Sequence, residues 1–363
     1  MNPIISVVIP AYTAAHTLPD CLAALGRQVN VPAPFEVLVV DDGSRDETAM
    51  VARCFPVRLL QQPHTGPADA RNRGLQVARG ELIFFTDADC VPAGDWLAAM
   101  VRPFERPDVT GCKGVYVTRQ TGLIARFVQL EYEVKYQAMA ACDAIDFVDT
   151  YSAGYRRRVL LAVGGFDASF PGASVEDAEL AFRLSSLGHR LAFNPGAKVW
   201  HRHPATLGGY LRRKVSYGFW RARVYARYPA KLQGDSHTPR AVWWQLPLAG
   251  AMPLAAMLGL LQGTLIWVFL GPLLLFLLAC LPFIGRAVGQ GELGLALATP
   301  GLLWVRALAL AGGLAAGLLH LAFTTRQISN PFEPSGRCGR YQIPSSPRDD
   351  VANAEAEPRI QSL

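Results

Sequence analysis

The sequence predicts an α/β layered domain followed by an α-helical transmembrane region. In the first 90 of its 363 residues, short apolar and β-branched runs alternate with segments of helical spacing. This alternation is typical of a sheet with right-handed crossovers. Residues 241–285, in contrast, are 45 consecutive residues without Asp, Glu, Lys, Arg or His. One helical crossing of a bilayer needs about 20 apolar residues, so this stretch is long enough for two.

The apolar runs of the first part predict its strands. Residues 4–10, 35–40 and 82–85 are rich in Val, Ile, Leu and Phe, and each run ends at a proline or near an acidic residue. Residues 57–60 form a shorter run, and residues 68–78 have the composition of a helix. Strands that alternate with helices pair in parallel, and ligands then bind beyond the carboxyl ends of the strands.

An ordered series of acidic residues follows these strands. Asp42 comes after the second strand, Asp87 and Asp89 come after the fourth, and Glu176-Asp177 lies further along the chain. Carboxylates that meet at one sheet edge can hold a divalent cation, contact a nucleotide and accept a proton. Each group alone also has a structural interpretation, as a helix-capping turn, an exposed acidic turn or the first turn of a helix. The order and spacing of the whole set therefore carry the prediction.

Six short motifs occur in order along residues 1–205. They are Val8-Ile9-Pro10-Ala11-Tyr12, Val40-Asp41-Asp42-Gly43-Ser44, Gly66-Pro67-Ala68-Asp69-Ala70-Arg71-Asn72, Thr86-Asp87-Ala88-Asp89, Gly164-Gly165-Phe166-Asp167 and Glu176-Asp177-Ala178-Glu179-Leu180-Ala181-Phe182-Arg183. Together they resemble the inverting family 2 glycosyltransferases of the GT-A fold. The resemblance implies a catalytic domain over residues 1–205, with a mainly parallel sheet between helices. It also implies transfer of a sugar from a nucleotide diphosphate sugar, with UDP-sugars as the expected donors.

The resemblance also assigns site residues. Those expected around the nucleotide sugar are Pro10, Ala11, Tyr12, Asp42, Arg71 and Asp87. Asp89 would bind Mg²⁺ or Mn²⁺ at the diphosphate, and His201 is either a further metal ligand or a structural histidine. Asp177 matches the general base, and Glu176 would help to shape the acceptor side. In-line attack assisted by such a base inverts the anomeric carbon.

Other functions receive less support from the sequence. A non-catalytic sugar-nucleotide-binding membrane scaffold would keep Asp42 but would not need both Asp89 and Asp177. A processive polysaccharide synthase would carry a Gln-x-x-Arg-Trp motif, whereas residues 216–221 read Ser-Tyr-Gly-Phe-Trp-Arg. The sequence also lacks a Gly-x-Gly-x-x-Gly motif after a strand and a P-loop, and its seven cysteines do not have zinc-site spacing. Single-sugar transfer is therefore the favoured activity.

Basic and aromatic residues precede the apolar region. Residues 206–240 contain eight Lys or Arg, interleaved with tyrosines, phenylalanine and tryptophan. This composition predicts an amphipathic interfacial segment against anionic lipid head groups, and nucleic-acid binding is the less favoured alternative. The total of 35 Lys and Arg against 29 Asp and Glu gives only a small positive excess. We therefore expect no nucleic-acid partner.

The remaining residues predict a membrane anchor. Residues 241–323 are expected to form two or three transmembrane helices, with Arg306 snorkelling from near one end of the third. Residues 324–363 are rich in proline and mixed charge, and they predict a flexible polar tail. The positive-inside rule and the cytosolic origin of nucleotide sugars place the catalytic domain on the cytoplasmic face of the inner (plasma) membrane. We expect a multi-pass protein whose acceptor is a lipid or a lipid-linked glycan.

Overall fold

The computed structural model of the chain describes residues 5–170, 175–262 and 265–324. The strands in these residues are β1 (Ile5–Ala11), β2 (Phe35–Asp41), β3 (Arg58–Gln61), β4 (Leu82–Phe85), β5 (Val91–Pro92), β6 (Val109–Val117), β7 (Ala153–Arg156) and β8 (Arg190–Trp200). The α-helices are α1 (Leu18–Gly26), α2 (Thr48–Arg53), α3 (Pro67–Val77), α4 (Trp96–Val101), α5 (Leu123–Ala140), α6 (Arg157–Ala162), α7 (Glu176–Ser186), α8 (Leu207–Arg227), α9 (Arg240–Gln262), α10 (Leu265–Gly289) and α11 (Leu293–Thr324).

All eight strands belong to one sheet, in the order β3-β2-β1-β4-β7-β6-β8-β5. The four strands predicted from the first 90 residues pair in parallel, with β1 between β2 and β4. Beyond β4 the sheet is mixed, because β7 runs antiparallel to both β4 and β6 whereas β8 is parallel to β6. The predicted α/β class is confirmed, and the antiparallel strands β5 and β7 are the part that the early alternation did not reveal.

The sheet is covered on both faces. Successive residues of β1 alternate between two hydrophobic cores, with Val8 in one and Val7 and Ile9 in the other. The first core also contains Leu75 of α3, and the second contains Leu22 of α1. Because both faces of these central strands are buried, they consist of almost continuous apolar runs, which is why the sequence revealed them.

A third hydrophobic core joins the α/β layers to the apolar helices. It includes Phe127 and Leu130 of α5, Phe276 and Phe283 of α10, and Leu303 of α11, all buried. The described residues up to Phe323 form one compact unit. The domain boundary that we predict near residue 205 therefore does not coincide with a break in the packing. The predicted tail, residues 324–363, lies outside the described residues apart from Thr324.

Within the described residues, two helices are long and apolar enough to cross a membrane. They are Leu270–Gly289 within α10, with 20 residues, and Leu293–Phe323 within α11, with 31 residues. Helix α9 ends at Gln262 and α10 begins at Leu265, and residues 263–264 between them lie outside the described residues. The apolar C-terminal region is thus helical, as expected.

The prediction that Arg306 snorkels to a membrane interface is wrong. Arg306 is only 2% exposed, and its guanidinium lies 2.9 Å from the carboxylate of Glu131 on α5. It also donates a hydrogen bond to the side chain of Gln245 on α9. A buried carboxylate supplied by another helix compensates the charge, so the side chain points into the protein.

The predicted contact of the basic segment with lipid head groups does not hold for several of its residues. Lys214 lies 3.1 Å from the carboxylate of Glu131, and Arg227 lies 2.9 Å from that of Asp167. Lys231 similarly pairs with Asp146 at 2.5 Å. These basic side chains neutralise acidic groups of the α/β layers instead of facing outwards.

Helices α8 and α11 approach each other at the level of their backbones. A Cβ atom added at Gly313 would lie 2.1 Å from the carbonyl oxygen of Val215, and one at Gly317 would lie 2.3 Å from that of Phe219. Only glycine allows so close an approach. The packing holds α8, with its basic residues, against an apolar helix.

We expect Gly313→Ala to destabilise the protein by about 1–3 kcal/mol, because its methyl group forces α8 away from α11. The measurement is the thermal unfolding midpoint of the full-length protein in detergent. Gly312→Ala is the matched control, since a Cβ atom there meets nothing within 4 Å. Equal midpoints for the two variants would contradict the close packing of these helices.

Candidate active site

The parallel strands bring the predicted groups to one edge of the sheet. Ala11, the last residue of β1, lies opposite Asp41, the last residue of β2. Asp42 follows directly and donates its backbone N–H to the carbonyl of Ala11 at 2.8 Å. Strand β4 pairs with β1 and ends at Phe85, so Asp87 and Asp89 follow at the same edge. The predicted acidic residues therefore follow neighbouring strands at the same edge of the sheet.

Asp42 anchors the loop that follows β3. Its buried carboxylate accepts hydrogen bonds from the backbone N–H groups of Thr65, at 3.0 Å, and Gly66, at 2.8 Å. The side chains of Gln62 and His64 also lie 2.8 Å from it. Both carboxylate oxygens thus have partners within the protein. Direct pairing of Asp42 with a nucleotide base stays a prediction, whereas its role in shaping the loop follows from these contacts.

A stacked aromatic pair borders this loop. The rings of Tyr12 and His64 are parallel to within 21°, with centroids 4.0 Å apart. Tyr12 is 48% exposed, so one face of the pair is available to a planar ligand. Pro10 and Ala11 close the strand beside it. His64 is a site residue that we did not predict, because nothing in its local sequence connects it with Asp42.

Arg71 bridges two of the predicted acidic groups. This residue lies on α3, and its buried guanidinium is 3.0 Å from the carboxylate of Asp87 and 2.8 Å from that of Glu176. The planar fork of arginine suits two such partners at once. Arg71 therefore connects the end of β4 with the start of α7, and the role of Glu176 on the acceptor side stays a prediction.

Asp87, Asp89 and His201 have the properties of a metal site. Oxygen atoms of Asp87 and Asp89 and the Cys90 sulfur lie within 4.8 Å of one another, and His201 Nε2 lies 3.5 Å from Asp89. Burial in the crevice, followed by the charge of Asp87, raises the pKa of Asp89. Burial lowers the pKa of His201, which favours a neutral imidazole that can ligate. Two carboxylates and an imidazole fit Mg²⁺ or Mn²⁺, because a cation would relieve the repulsion between the acids.

Asp177 lies in the first turn of α7, next to Glu176. Acidic residues are favoured there by the helix dipole, so the structural interpretation of this pair fits its location, and its catalytic role stays a prediction. Burial, and then the charges of Glu176 and Asp149, raise the pKa of Asp177 well above its ordinary value. A carboxylate with a raised pKa is a stronger base than an exposed aspartate, which suits proton transfer near neutral pH.

Asp177 lines a cavity between the sheet edge and helices α5, α8, α9 and α11. Other residues of its wall include Asp149, His201, Lys135, Tyr217 and Arg221, with Val242 and Leu310 from the apolar helices. Asp149 pairs with the buried amine of Lys113, a β6 residue that also lies 2.9 Å from the hydroxyl of Tyr151. Neither Lys113 nor Asp149 belongs to a motif that the sequence singled out.

The sequence matches a known family over its first part. Residues 6–164 match the family described as "Glycosyl transferase family 2". A "Pre-mycofactocin glycosyltransferase" of Mycobacterium tuberculosis is 30% identical over 238 residues, which cover 62% of this chain and 48% of the relative. A "Validoxylamine A glucosyltransferase" of Streptomyces hygroscopicus subsp. limoneus is 30% identical over 220 residues, 51% of this chain and 49% of the relative. The chain spans about half the length of these curated relatives.

A solved structure has a similar fold. It is described as "Mannosyltransferase PcManGT from Pyrobaculum calidifontis in complex with GDP-Man and Mn2+", with a TM-score of 0.58, 22% identity and 88% of each chain covered. The predicted fold, a GT-A-like core followed by helices, is confirmed. The family match over residues 6–164 and this fold both indicate a domain similar to the family 2 glycosyltransferases.

Proposed function

We propose that this protein is an inverting glycosyltransferase that moves a sugar from a nucleotide diphosphate sugar to a lipid or lipid-linked glycan. The observation that carries the proposal is the bridge of Arg71 between Asp87 and Glu176. It connects a donor-side acidic pair at the sheet edge with Asp177 on the cavity side. A group transfer needs both sides, whereas a scaffold that only binds nucleotide needs one.

On the donor side, Asp87, Asp89 and His201 would hold Mg²⁺ or Mn²⁺. Such a cation would neutralise the negative charge that develops on the departing diphosphate. Tyr12 and His64 offer a flat surface for the nucleotide base, and Asp42 holds the loop on which His64 lies. Arg71 keeps Asp87 oriented towards the crevice.

On the acceptor side, Asp177 is the proposed general base. As the acceptor hydroxyl attacks the anomeric carbon, its proton passes to the Asp177 carboxylate, and the bond between the sugar and the diphosphate breaks on the opposite face. One displacement of this kind inverts the anomeric centre. Glu176 does not take part in proton transfer in this scheme, because it is paired with Arg71.

The proposed acceptor comes from the membrane. Val242 of α9 and Leu310 of α11 contribute to the wall of the Asp177 cavity, so apolar helices border the reaction site. Helices α10 and α11 have the length and composition of membrane spans. A multi-pass location in the plasma membrane, with the site on the cytoplasmic side, would let a cytosolic nucleotide sugar meet a lipid-borne acceptor.

The test is a transfer assay with the full-length protein, Mn²⁺, a panel of UDP-, GDP- and dTDP-sugars, and bacterial membrane lipids as acceptors. We expect one donor to give a single-sugar product of inverted anomeric configuration, which NMR of the product determines. Nucleotide binding without any transfer or hydrolysis would favour a scaffold. Products with many added sugars would instead indicate a processive synthase.

A further inference from the structure

The cavity beside Asp177 has an excess of positive side chains in its wall. The described wall contains three carboxylates: Glu131 is engaged with Lys214 and Arg306, Asp149 is engaged with Lys113, and Asp177 is the proposed general base. The cations of the wall that have no carboxylate within ion-pair distance, among the residues that the structure describes, are Lys135, Arg213 and Arg221.

The hydrogen bonds that these three cations make in the described structure go to neutral groups. Lys135 Nζ lies 2.9 Å from His237 Nε2, and Arg221 lies 3.0 Å from the hydroxyls of Tyr225 and Thr238. Arg213, which is more exposed, lies 3.0 Å from the hydroxyl of Tyr217. Lys135 and Arg221 are only partly exposed, and a cation in that position without a carboxylate in direct contact is unfavourable, so the wall is complementary to an anion.

The electrostatics of Lys135 support this interpretation. Burial, followed by repulsion from Lys214, lowers the pKa of its amine to about 7. The pKa of His237 is lowered in turn by burial and by Lys135, so the imidazole is neutral and adds no competing charge. A bound anion would relieve the repulsion that Lys135 experiences and would favour its protonated form.

A phosphate group is the anion that best fits these side chains. Arginine binds phosphate oxygens with its planar fork and lysine binds them as a point charge, and together they match a group with more than one negative charge. Val242 and Leu310 lie in the same wall, so the group is expected on an amphiphile. Of the donor-side groups, His201 lines this cavity whereas Arg71, Asp87 and Asp89 do not, so the donor's diphosphate is a different ligand that is expected beyond the edge of the cavity.

We propose that Lys135 and Arg221, with Arg213, form a subsite for a phosphate group carried by the acceptor amphiphile. The inference rests on the proposed function, since it assigns this cavity to the acceptor. It concerns binding alone and adds no bond-making step. The subsite would hold the head of the acceptor beside Asp177, while its apolar chain extends towards α9 and α11.

The experiment compares two probes that differ only in the phosphate, farnesyl phosphate and farnesol, by binding to the full-length protein in detergent. We expect wild-type protein to bind farnesyl phosphate about ten times more tightly than farnesol. Lys135→Gln and Arg221→Gln should each lower the affinity for farnesyl phosphate about tenfold, which corresponds to about 1.4 kcal/mol, and leave that for farnesol unchanged. Arg212→Gln is the matched control, since Arg212 is an exposed residue of α8 that does not line the cavity.

Further binding measurements distinguish the possible sources of the bound phosphate group. Inorganic phosphate that binds as tightly as farnesyl phosphate would overturn the assignment to an amphiphile. Variants that lose affinity for UDP with Mn²⁺, but not for farnesyl phosphate, would assign the cations to the donor. Equal binding of the two probes by the wild type would overturn the subsite without any need for variants. If that same protein still turned over the donor sugar, the proposed function would stand although the phosphate subsite had been overturned.

Discussion

Asp89→Ala is expected to reduce sugar transfer about a thousandfold or more. Asp89 is the more exposed of the two acids after β4, and it faces both Asp87 and the imidazole of His201. Removing it takes away the carboxylate best placed to share a cation with a diphosphate. Loss of that electrostatic stabilisation is worth several kcal/mol, and each 1.36 kcal/mol is a factor of ten in rate.

The measurements are the initial rate at saturating Mn²⁺ and the binding of Mn²⁺ itself, followed by electron paramagnetic resonance. Asp95→Ala serves as the control, because Asp95 is an exposed carboxylate a few residues further along. Full turnover by the wild-type protein in excess EDTA would contradict the assignment of a metal to this site. So would an Asp89→Ala protein that binds Mn²⁺ as the wild type does.

Asp177→Asn is expected to lower kcat by about 10²- to 10⁴-fold, the usual contribution of a positioned general base. Asparagine keeps the shape of aspartate but cannot accept the proton. The dissociation constant of the nucleotide should stay nearly unchanged, because the donor-side groups lie across the Arg71 bridge. A variant that loses donor affinity but keeps kcat would move Asp177 to the donor pocket.

The pH dependence offers a second measurement on the same residue. Because burial and the charges of Glu176 and Asp149 raise the pKa of Asp177, its carboxyl is protonated, and inactive as a base, below that raised value. The wild-type kcat should therefore fall as the pH decreases through a pKa well above 3.8. Asp177→Asn should lack this acid limb. The neighbouring acids are unsuitable replacements, since Glu179 is buried and paired with Arg183.

The parts of the structure that local sequence determines were predictable. Strands β1, β2 and β4 are buried on both faces, so each is a nearly continuous apolar run that the sequence displays directly. Parallel pairing then places Asp42 and Asp87 at one edge, whatever the rest of the fold. The grouping of Asp87 with Asp89 and the position of Asp177 in the first turn of α7 follow in the same way from the ends of strands and helices.

The contacts that sequence reasoning missed connect distant parts of the chain. Glu131 and Arg306 are 175 residues apart, and Lys113 and Asp149 are 36 apart. A charged residue on an apolar helix can lie at a membrane interface or can pair with a buried group of opposite charge. Which of the two occurs depends on the side chain that another helix brings near it. The same two outcomes were open for the basic residues of α8, because basic side chains can bind lipid head groups or acidic groups of the protein.

The buried pair of Glu131 and Arg306 makes assembly of the two halves interdependent. Although burial opposes its ionisation, Lys214 and Arg306 lower the pKa of Glu131 to about 2, so the carboxylate is charged inside the protein. If α11 were displaced, that charge would lose a main partner within the wall of the reaction cavity. With α11 in a membrane and the cavity as the acceptor site, as we propose, a change of lipid or detergent around α11 would alter catalysis without contacting any residue that binds the nucleotide.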